Sequence, residues 1–299
     1  MGQTASGKSK LAMTLAEKIP IEIISADSAC VYREMDIGTA KPSPQDCKKV
    51  PHHLIDICDP SEFFSAGKFC RLTKKIMTDI HTQKKIPVIV GGTMLYFHLL
   101  QNGIANLPEK DENIRQEILK QAEKNGWIFL HEQLKSIDPV SAARIHANDA
   151  QRIQRALEIY TLTHQTPTQL FEQQQKENKK FNFVSVILSW QDKEILNQKI
   201  EQRFDHMLTN GFIEEVEKLF HRGDLNENLP SIRMVGYQEI WQYLAGKYDQ
   251  KTMREKAIIA TRQLAKHQMT WLKRWENAHW LDAGKANLCE SIFNHLKLK

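Results

Sequence analysis

The opening stretch of the chain limits what the rest can be. Gly2 to Ser9 read G-x-x-x-x-G-K-S. In this spacing glycines let backbone N–H groups curl around an anion at a helix N-terminus, lysine adds a point charge and serine offers a hydroxyl to Mg²⁺. The candidate phosphate-binding residues are therefore Gly2, Gln3, Thr4, Ala5, Ser6, Gly7, Lys8 and Ser9, with Ser9 the one directed at a metal. Diphosphate or triphosphate is the expected ligand. Such a loop normally follows a strand and opens a helix. A helical pattern does follow, from Lys8 to Lys18, but no strand precedes Gly2. The expectation is that Met1 is an internal methionine taken as the start, and that the first core strand is missing from this chain.

The text after the loop alternates as a parallel α/β fold requires. Short apolar runs, IEII at 21–24, HLIDI at 53–57, PVIV at 87–90, FVSVIL at 183–188 and HWL at 279–281, are separated by longer amphipathic stretches such as Ala66 to Gln83. This predicts a doubly wound, P-loop-type parallel sheet. Over 106–182 the strand signal vanishes and the text becomes helical, ending in the polar stretch FEQQQKENKK. The predicted organisation is an α/β core made of 1–105 and 183–299, with helical blocks from Ile195 to His221 and Thr252 to Trp275, and a helical insertion with a mobile edge at 106–182.

Composition removes several classes. Hydrophobic residues at 41% and charged residues at 26% match a folded globular chain and not a disordered one. No apolar run approaches the roughly 18–20 residues of a membrane span. The five cysteines form no CxxC pair and no Cys/His ligand cluster, so free thiols in a reducing cytoplasm are expected. Lys plus Arg number 41 against 36 for Asp plus Glu, a balance that permits a nucleic-acid partner without requiring one.

Two strand ends carry candidate chemistry. Kinases and nucleotide hydrolases need an acid at the end of an apolar strand. PVIV ends instead in Gly91-Gly92-Thr93, whereas IEIISADS ends at Asp27, with Ser25 and Ser28 on either side. Asp27 could direct a metal, act as a base or cap a turn. Thr93 places a hydroxyl where a strand hands over to a helix, the edge at which open α/β sheets bind ligands, and could equally cap that helix.

Basic residues cluster in three places. In ATRQLAKHQMTWLKRW, Ile258, Ala265, Met269 and Leu272 form an apolar stripe bordered by Arg262, Lys266 and Lys273, with Trp271 and Trp275 interleaved. The combination suits a phosphate backbone and unstacked bases, and also a solvated helix with tryptophans in the core. DAQRIQRALE sets Arg152 and Arg155 on one helical face, and LPSIRMVGYQE puts Arg233 before Gly236 and a candidate stacking ring at Tyr237. Together they suggest one long, negatively charged partner.

The segments GQTASGKS, ISADSACVYREMDIGTAKP, HHLIDICDP, VGGTMLY, DPVSAARIHANDAQRIQRALE, IEQRF, LPSIRMVGYQE and ATRQLAKHQMTWLKRW cover nearly the whole chain. In this order they resemble the bacterial tRNA dimethylallyltransferases, which prenylate N6 of adenine 37 beside the anticodon. The resemblance implies that the loop grips the diphosphate of dimethylallyl diphosphate, with Mg²⁺ as cofactor. It makes Asp27 the general base and Thr93 a residue touching the reactive end, and it places Lys8 and Arg203 of IEQRF over the diphosphate. It further implies contacts with the tRNA anticodon stem-loop along several segments. These are Asp27, Ser28, Ala29 and Cys30; Thr93; Arg115; and Gln151, Arg152, Ile153, Gln154 and Arg155. Later in the chain they are Arg233, Met234, Val235, Gly236, Tyr237 and Gln238, then Lys266, His267, Gln268, Met269, Thr270, Trp271, Leu272 and Lys273, with Arg262 beside them. A monomer is implied.

The chain departs from the family pattern at Gln3, where proline is usual, and at Gln238, where arginine is common. Two other readings compete: a small-molecule P-loop enzyme, either a kinase or a prenyltransferase of free adenine nucleotide, and a non-catalytic RNA-binding protein. The helical insertion and spread cations argue against the first, and the intact Lys8/Ser9 loop against the second.

Overall fold

The structure, a computed structural model, describes residues 1–103, 107–175 and 181–296. The chain forms two compact units, Met1–Phe97 with Phe183–Lys299, and His98–Asn182. In the first unit, α1 (Lys8–Ala16), β1 (Ile21–Ser25), α2 (Pro44–Lys49), β2 (His52–His53), α3 (Ala66–Thr82) and β3 (Ile86–Val90) precede α4 (Met94–Asn102), which runs on into the second unit. That unit holds α5 (Glu112–Asn125), α6 (Trp127–Ile137), α7 (Pro139–Arg144), α8 (Ala150–Thr163) and α9 (Pro167–Gln175). The chain then returns through β4 (Ser185–Ser189), α10 (Lys193–Thr209), α11 (Phe212–Phe220), α12 (Tyr237–Leu244), α13 (Gln250–Leu272), β5 (Ala278–Asp282) and α14 (Leu288–Leu296). No helix among the described residues is long and apolar enough to cross a membrane.

All strand pairs are parallel. β1 lies between β2 and β3, with Ile21 opposite Ile86 and Ser25 opposite Val90, and β4 pairs with β5 from Ser185–Ala278 to Ser189–Asp282. Every residue of β1 is buried, as expected of an apolar run inside a parallel sheet. Met1 and Gly2 run alongside β4: the Met1 amine donates to Val186 O at 2.8 Å and Leu188 N–H donates to Met1 O at 2.9 Å. Ala12 and Leu15 of α1, Ile21 and Ile23 of β1, Leu188, Leu281 and Ile292 share one core, which joins both sheets to α1 and α14.

Local chemistry corrects two expectations. HLIDI is not a strand throughout: β2 is only His52–His53, because Leu54 (φ 62°) and Asp56 (φ 55°) take left-handed conformations that turn the chain. The block from Ile195 to His221 is two helices, broken at Gly211 (φ 92°). In the second unit, Ile118, Leu130, Leu134, Ile153 and Leu157 make a separate helical core. Of the predicted mobile edge at 171–180, the first half closes α9 as helix, and 176–180 lie outside the described residues.

The sheet end that faces the site depends on a close backbone approach. Ala26 N–H donates to Val90 O at 2.8 Å and Thr93 N–H to Ala26 O at 3.1 Å, so a Cβ on Gly91 would lie 2.0 Å from Ala26 O. Neither backbone can yield. Gly91→Ala is expected to destabilise the protein by about 1–3 kcal/mol through overpacking, read as a lower denaturant midpoint with an unchanged m-value.

Candidate active site

The Gly2–Ser9 loop is turned by two left-handed residues, Ala5 (φ 58°) and Gly7 (φ 86°), the latter capping α1. Gly2 is required by packing, since a Cβ there would lie 2.2 Å from Leu188 O. Three side-chain hydrogen bonds to distant segments hold the loop, one made by Gln3 of the loop itself and two by Gln268 and Trp190. Gln3 Nε2 donates to Ala265 O at 3.0 Å, Thr4 N–H donates to Gln268 Oε1 at 2.8 Å, and Trp190 Nε1 donates to Ala5 O at 3.0 Å. Within the loop, Gln3 O accepts from Ser6 Oγ at 2.8 Å and from Lys8 Nζ at 2.5 Å.

Lys8 is partly buried, and desolvation lowers its pKa to about 8; Asp27 opposes the shift and Arg203 adds to it. Burial also lowers the pKa of Arg203, again against the pull of Asp27. The loop region therefore brings together half-buried cations whose solvation is reduced and whose shifts are opposed by one carboxylate, Asp27.

That carboxylate sits at the exit of β1. Asp27 Oδ1 accepts Ala29 N–H at 2.9 Å, an Asx turn. Next to it, Ser28 N–H donates to Thr93 Oγ1 at 3.0 Å, and Thr93 Oγ1 donates to Ser28 Oγ at 3.3 Å. The following loop is held by Glu215, whose carboxylate accepts the N–H groups of Asp36, Ile37 and Gly38 at 2.9, 2.7 and 3.2 Å and the Tyr237 hydroxyl at 2.5 Å. The carboxylate and the loop end face one cavity of about 460 Å³. Thr4, Ala5 and Arg203 line it with Asp27, Ser28 and Thr93, and Leu95, Ile200, Phe204, Met207 and Leu264 give it apolar wall.

Of the residues singled out in the sequence, the cavity gathers Thr4, Ala5, Asp27, Ser28, Ala29, Thr93, Arg203, Arg233, Met234, Val235, His267, Gln268 and Trp271. Others are placed differently. Tyr237 is not a stacking ring: it is 1% exposed, packed edge-on against Phe212 and bonded to Glu215. Cys30 is buried, and burial raises its thiol pKa. Ser9 is exposed at the start of α1. On α13, Arg262 is not an unpaired cation, because Nη2 reaches Glu201 at 3.3 Å, while Lys266 and Lys273 are exposed with no ion pair among the described residues. The buried face of α13 includes Gln268 and Leu272, whereas Met269, expected there, is only partly buried.

In the second unit, Ile153 is core and Gln154 Nε2 donates to Arg115 O at 3.1 Å. Arg155 pairs with the fully buried Glu158 at 2.8 Å, Arg115 approaches the same carboxylate at 3.5 Å, and Arg152 pairs with Asp149 at 2.5 Å. Arg115 and Arg155 thus neutralise a buried acid instead of forming an open cationic surface. Sequence reading missed Glu215, Trp190 and the double hydrogen bond of Gln268. Only Trp190 had a local signal, an aromatic at the C-terminal edge of a strand run.

The chain that carries this loop, carboxylate and hydroxyl on a parallel sheet has known counterparts. The family model described as IPP transferase matches residues 30–275. A protein named tRNA dimethylallyltransferase from Coxiella burnetii is 50% identical over 297 residues, 99% of each chain. The crystal structure of a tRNA isopentenylpyrophosphate transferase from Bacillus halodurans matches with TM-score 0.70 and 36% identity, covering 99% of this chain and 92% of that one. A eukaryotic dimethylallyltransferase described as acting on tRNA matches with TM-score 0.85 and 29% identity over 98% of this chain and 76% of its own. The chain belongs to the IPP transferase family.

The lowered pKa of Lys8 has a sign that can be tested. An anion bound in the loop favours the charged ammonium, so binding above about pH 8 must take up a proton that the empty site has lost. Affinity for inorganic diphosphate is expected to fall as pH rises from 7 to 9.5, with a break near 8. Lys8→Met should bind more weakly and lack that break, measured by titration calorimetry at each pH.

Proposed function

We infer that this protein is a tRNA dimethylallyltransferase that moves the dimethylallyl group of dimethylallyl diphosphate to N6 of adenine 37 in the anticodon loop, releasing diphosphate. The observation that carries the reading is the single cavity that Thr4, Ala5 and Arg203 share with Asp27, Ser28 and Thr93. A diphosphate ester needs the cationic groups and a proton-losing nucleophile needs the carboxylate. The names of the relatives support the same reaction. Met1 and Gly2 running along β4 into the loop support a P-loop core.

The roles follow from charge. As the C1–O bond of the donor breaks, its electron pair leaves with the diphosphate, and Lys8, Arg203 and the loop amides stabilise the growing negative charge. C1 becomes carbocation-like, and Leu95, Met207 and Leu264 keep water from it. N6 of adenine forms the new bond to C1, and its proton becomes acidic in doing so and passes to Asp27. Adenine 37 must be unstacked to reach the cavity, at a cost of a few kcal/mol offset by contacts elsewhere on the tRNA.

Among the described residues no group of three His, Cys, Asp or Glu could hold a metal ion. The residue that would hold Mg²⁺, together with the oxygens of the diphosphate, is Ser9 at the start of α1, and the ion would add to the neutralisation of the leaving group.

The direct test mixes the protein with dimethylallyl diphosphate, Mg²⁺ and unmodified tRNA and reads mass. One C5H8 unit gained by the tRNA is expected. Gain on AMP or ATP instead would make the protein a small-molecule prenyltransferase, and retained tRNA binding without gain would make it an RNA-binding protein. The cations of α13 give a second prediction: Lys266→Ala and Lys273→Ala should each flatten the salt dependence of tRNA binding by about one counterion. Arg262→Ala should leave the slope nearly unchanged, because Glu201 already neutralises it.

A further inference from the structure

Gln268 is 8% exposed, and both ends of its amide are used inside the protein. Oε1 accepts Thr4 N–H at 2.8 Å and Nε2 donates to Gly92 O at 3.0 Å. An N–H on one side and a carbonyl on the other fix the orientation of the amide. The two partners lie on different segments: Thr4 on the anion-binding loop, and Gly92 on the turn that presents Thr93, whose hydroxyl holds Ser28 beside Asp27. Three residues earlier on the same face of α13, Ala265 O accepts Gln3 Nε2 at 3.0 Å. The helix therefore holds the loop at two points, and at the second it also holds the acid end of the cavity.

The geometry points to Gln268 as a positioning residue that fixes the separation between the diphosphate cradle and the Asp27–Thr93 end, and not as an RNA contact. The proposal rests on the prenyl-transfer reading. The donor is gripped by its diphosphate at one end and attacked at C1 at the other, so the distance between these segments sets the approach of N6 to C1. A carboxamide suits this place because it donates and accepts across one planar group. A glutamate would keep the acceptor for Thr4 N–H but set an oxygen against Gly92 O.

Gly92 supplies an independent handle. A Cβ there would lie 2.5 Å from Gln268 Nε2, and the next atom outside that side chain, Gly2 O, is 3.6 Å away. Gly92→Ala therefore acts by displacing the amide. Single-turnover transfer with saturating tRNA and donor is the readout, with tRNA affinity measured beside it. Gln268→Ala and Gly92→Ala are each expected to slow transfer by about 10- to 100-fold, as a misplacement near 1 Å does. The affinity for tRNA should stay within about twofold. The double variant should be no slower than the slower single variant, because the second change removes a contact already lost. Gln268→Glu, nearly isosteric, should show a similar loss and covers the case in which alanine unfolds the loop. Transfer at the wild-type rate in Gln268→Ala, tRNA affinity falling in step with rate, or losses that multiply in the double variant would each overturn the proposal. A wild-type chain that transfers no prenyl group would instead overturn the functional reading on which it stands.

Discussion

Positive charge drawn partly out of water is the constraint around which the site is built. Lys8 is desolvated to a pKa of about 8, Arg203 is shifted in the same direction, and Asp27 is the carboxylate that opposes both shifts. Removing a cation from water is costly unless an opposite charge arrives. Lys8 Nζ donates to Gln3 O, a neutral acceptor that satisfies a hydrogen bond without supplying that charge. The site therefore favours a strong anion. A diphosphate meets that demand, and it becomes more anionic in the transition state than in the ground state, which is the direction catalysis requires.

Holding such a loop open calls for anchors outside it. Trp190 comes from the end of β4, Gln3 is tied back to α13, and Gln268 spans from the loop to the turn after β3. Glu215 performs a related task on the other wall, gathering three successive backbone N–H groups and the Tyr237 hydroxyl around one carboxylate. In each case one side chain satisfies backbone groups that would otherwise be left inside the protein without partners. At Gln3, where the family usually has proline, the side chain adds a tie to α13 that a pyrrolidine ring could not make.

What was legible in the sequence was local. The Gly2–Ser9 spacing, Asp27 at the end of IEIIS and Thr93 after PVIV are short-range signals, and four of the strands lie within a residue or two of the apolar runs that announced them. HLIDI failed because Leu54 and Asp56 adopt positive φ, a backbone choice their side chains do not announce. The basic clusters were visible, but their partners were not. Glu201, which neutralises Arg262, lies on another helix, and Glu158 binds Arg155 within α8 while Arg115 reaches it from α5. Helical periodicity reports which face a residue is on and says nothing of which acid the fold brings opposite. Tyr237 misled for the same reason, since Glu215 on α11 claims its hydroxyl.

In the proposed reaction Asp27 takes the proton of the attacking amine across the cavity from the diphosphate-binding loop. Single-turnover transfer by Asp27→Asn, at saturating tRNA and dimethylallyl diphosphate, tests it most directly, because asparagine keeps an acceptor for the Ala29 N–H turn and cannot take a proton. The expected rate is lower by about two to four orders of magnitude, the range general-base catalysis supplies, with tRNA affinity within a few fold of wild type. Transfer at close to the wild-type rate would contradict it and make Asp27 a turn and positioning residue, with the base elsewhere.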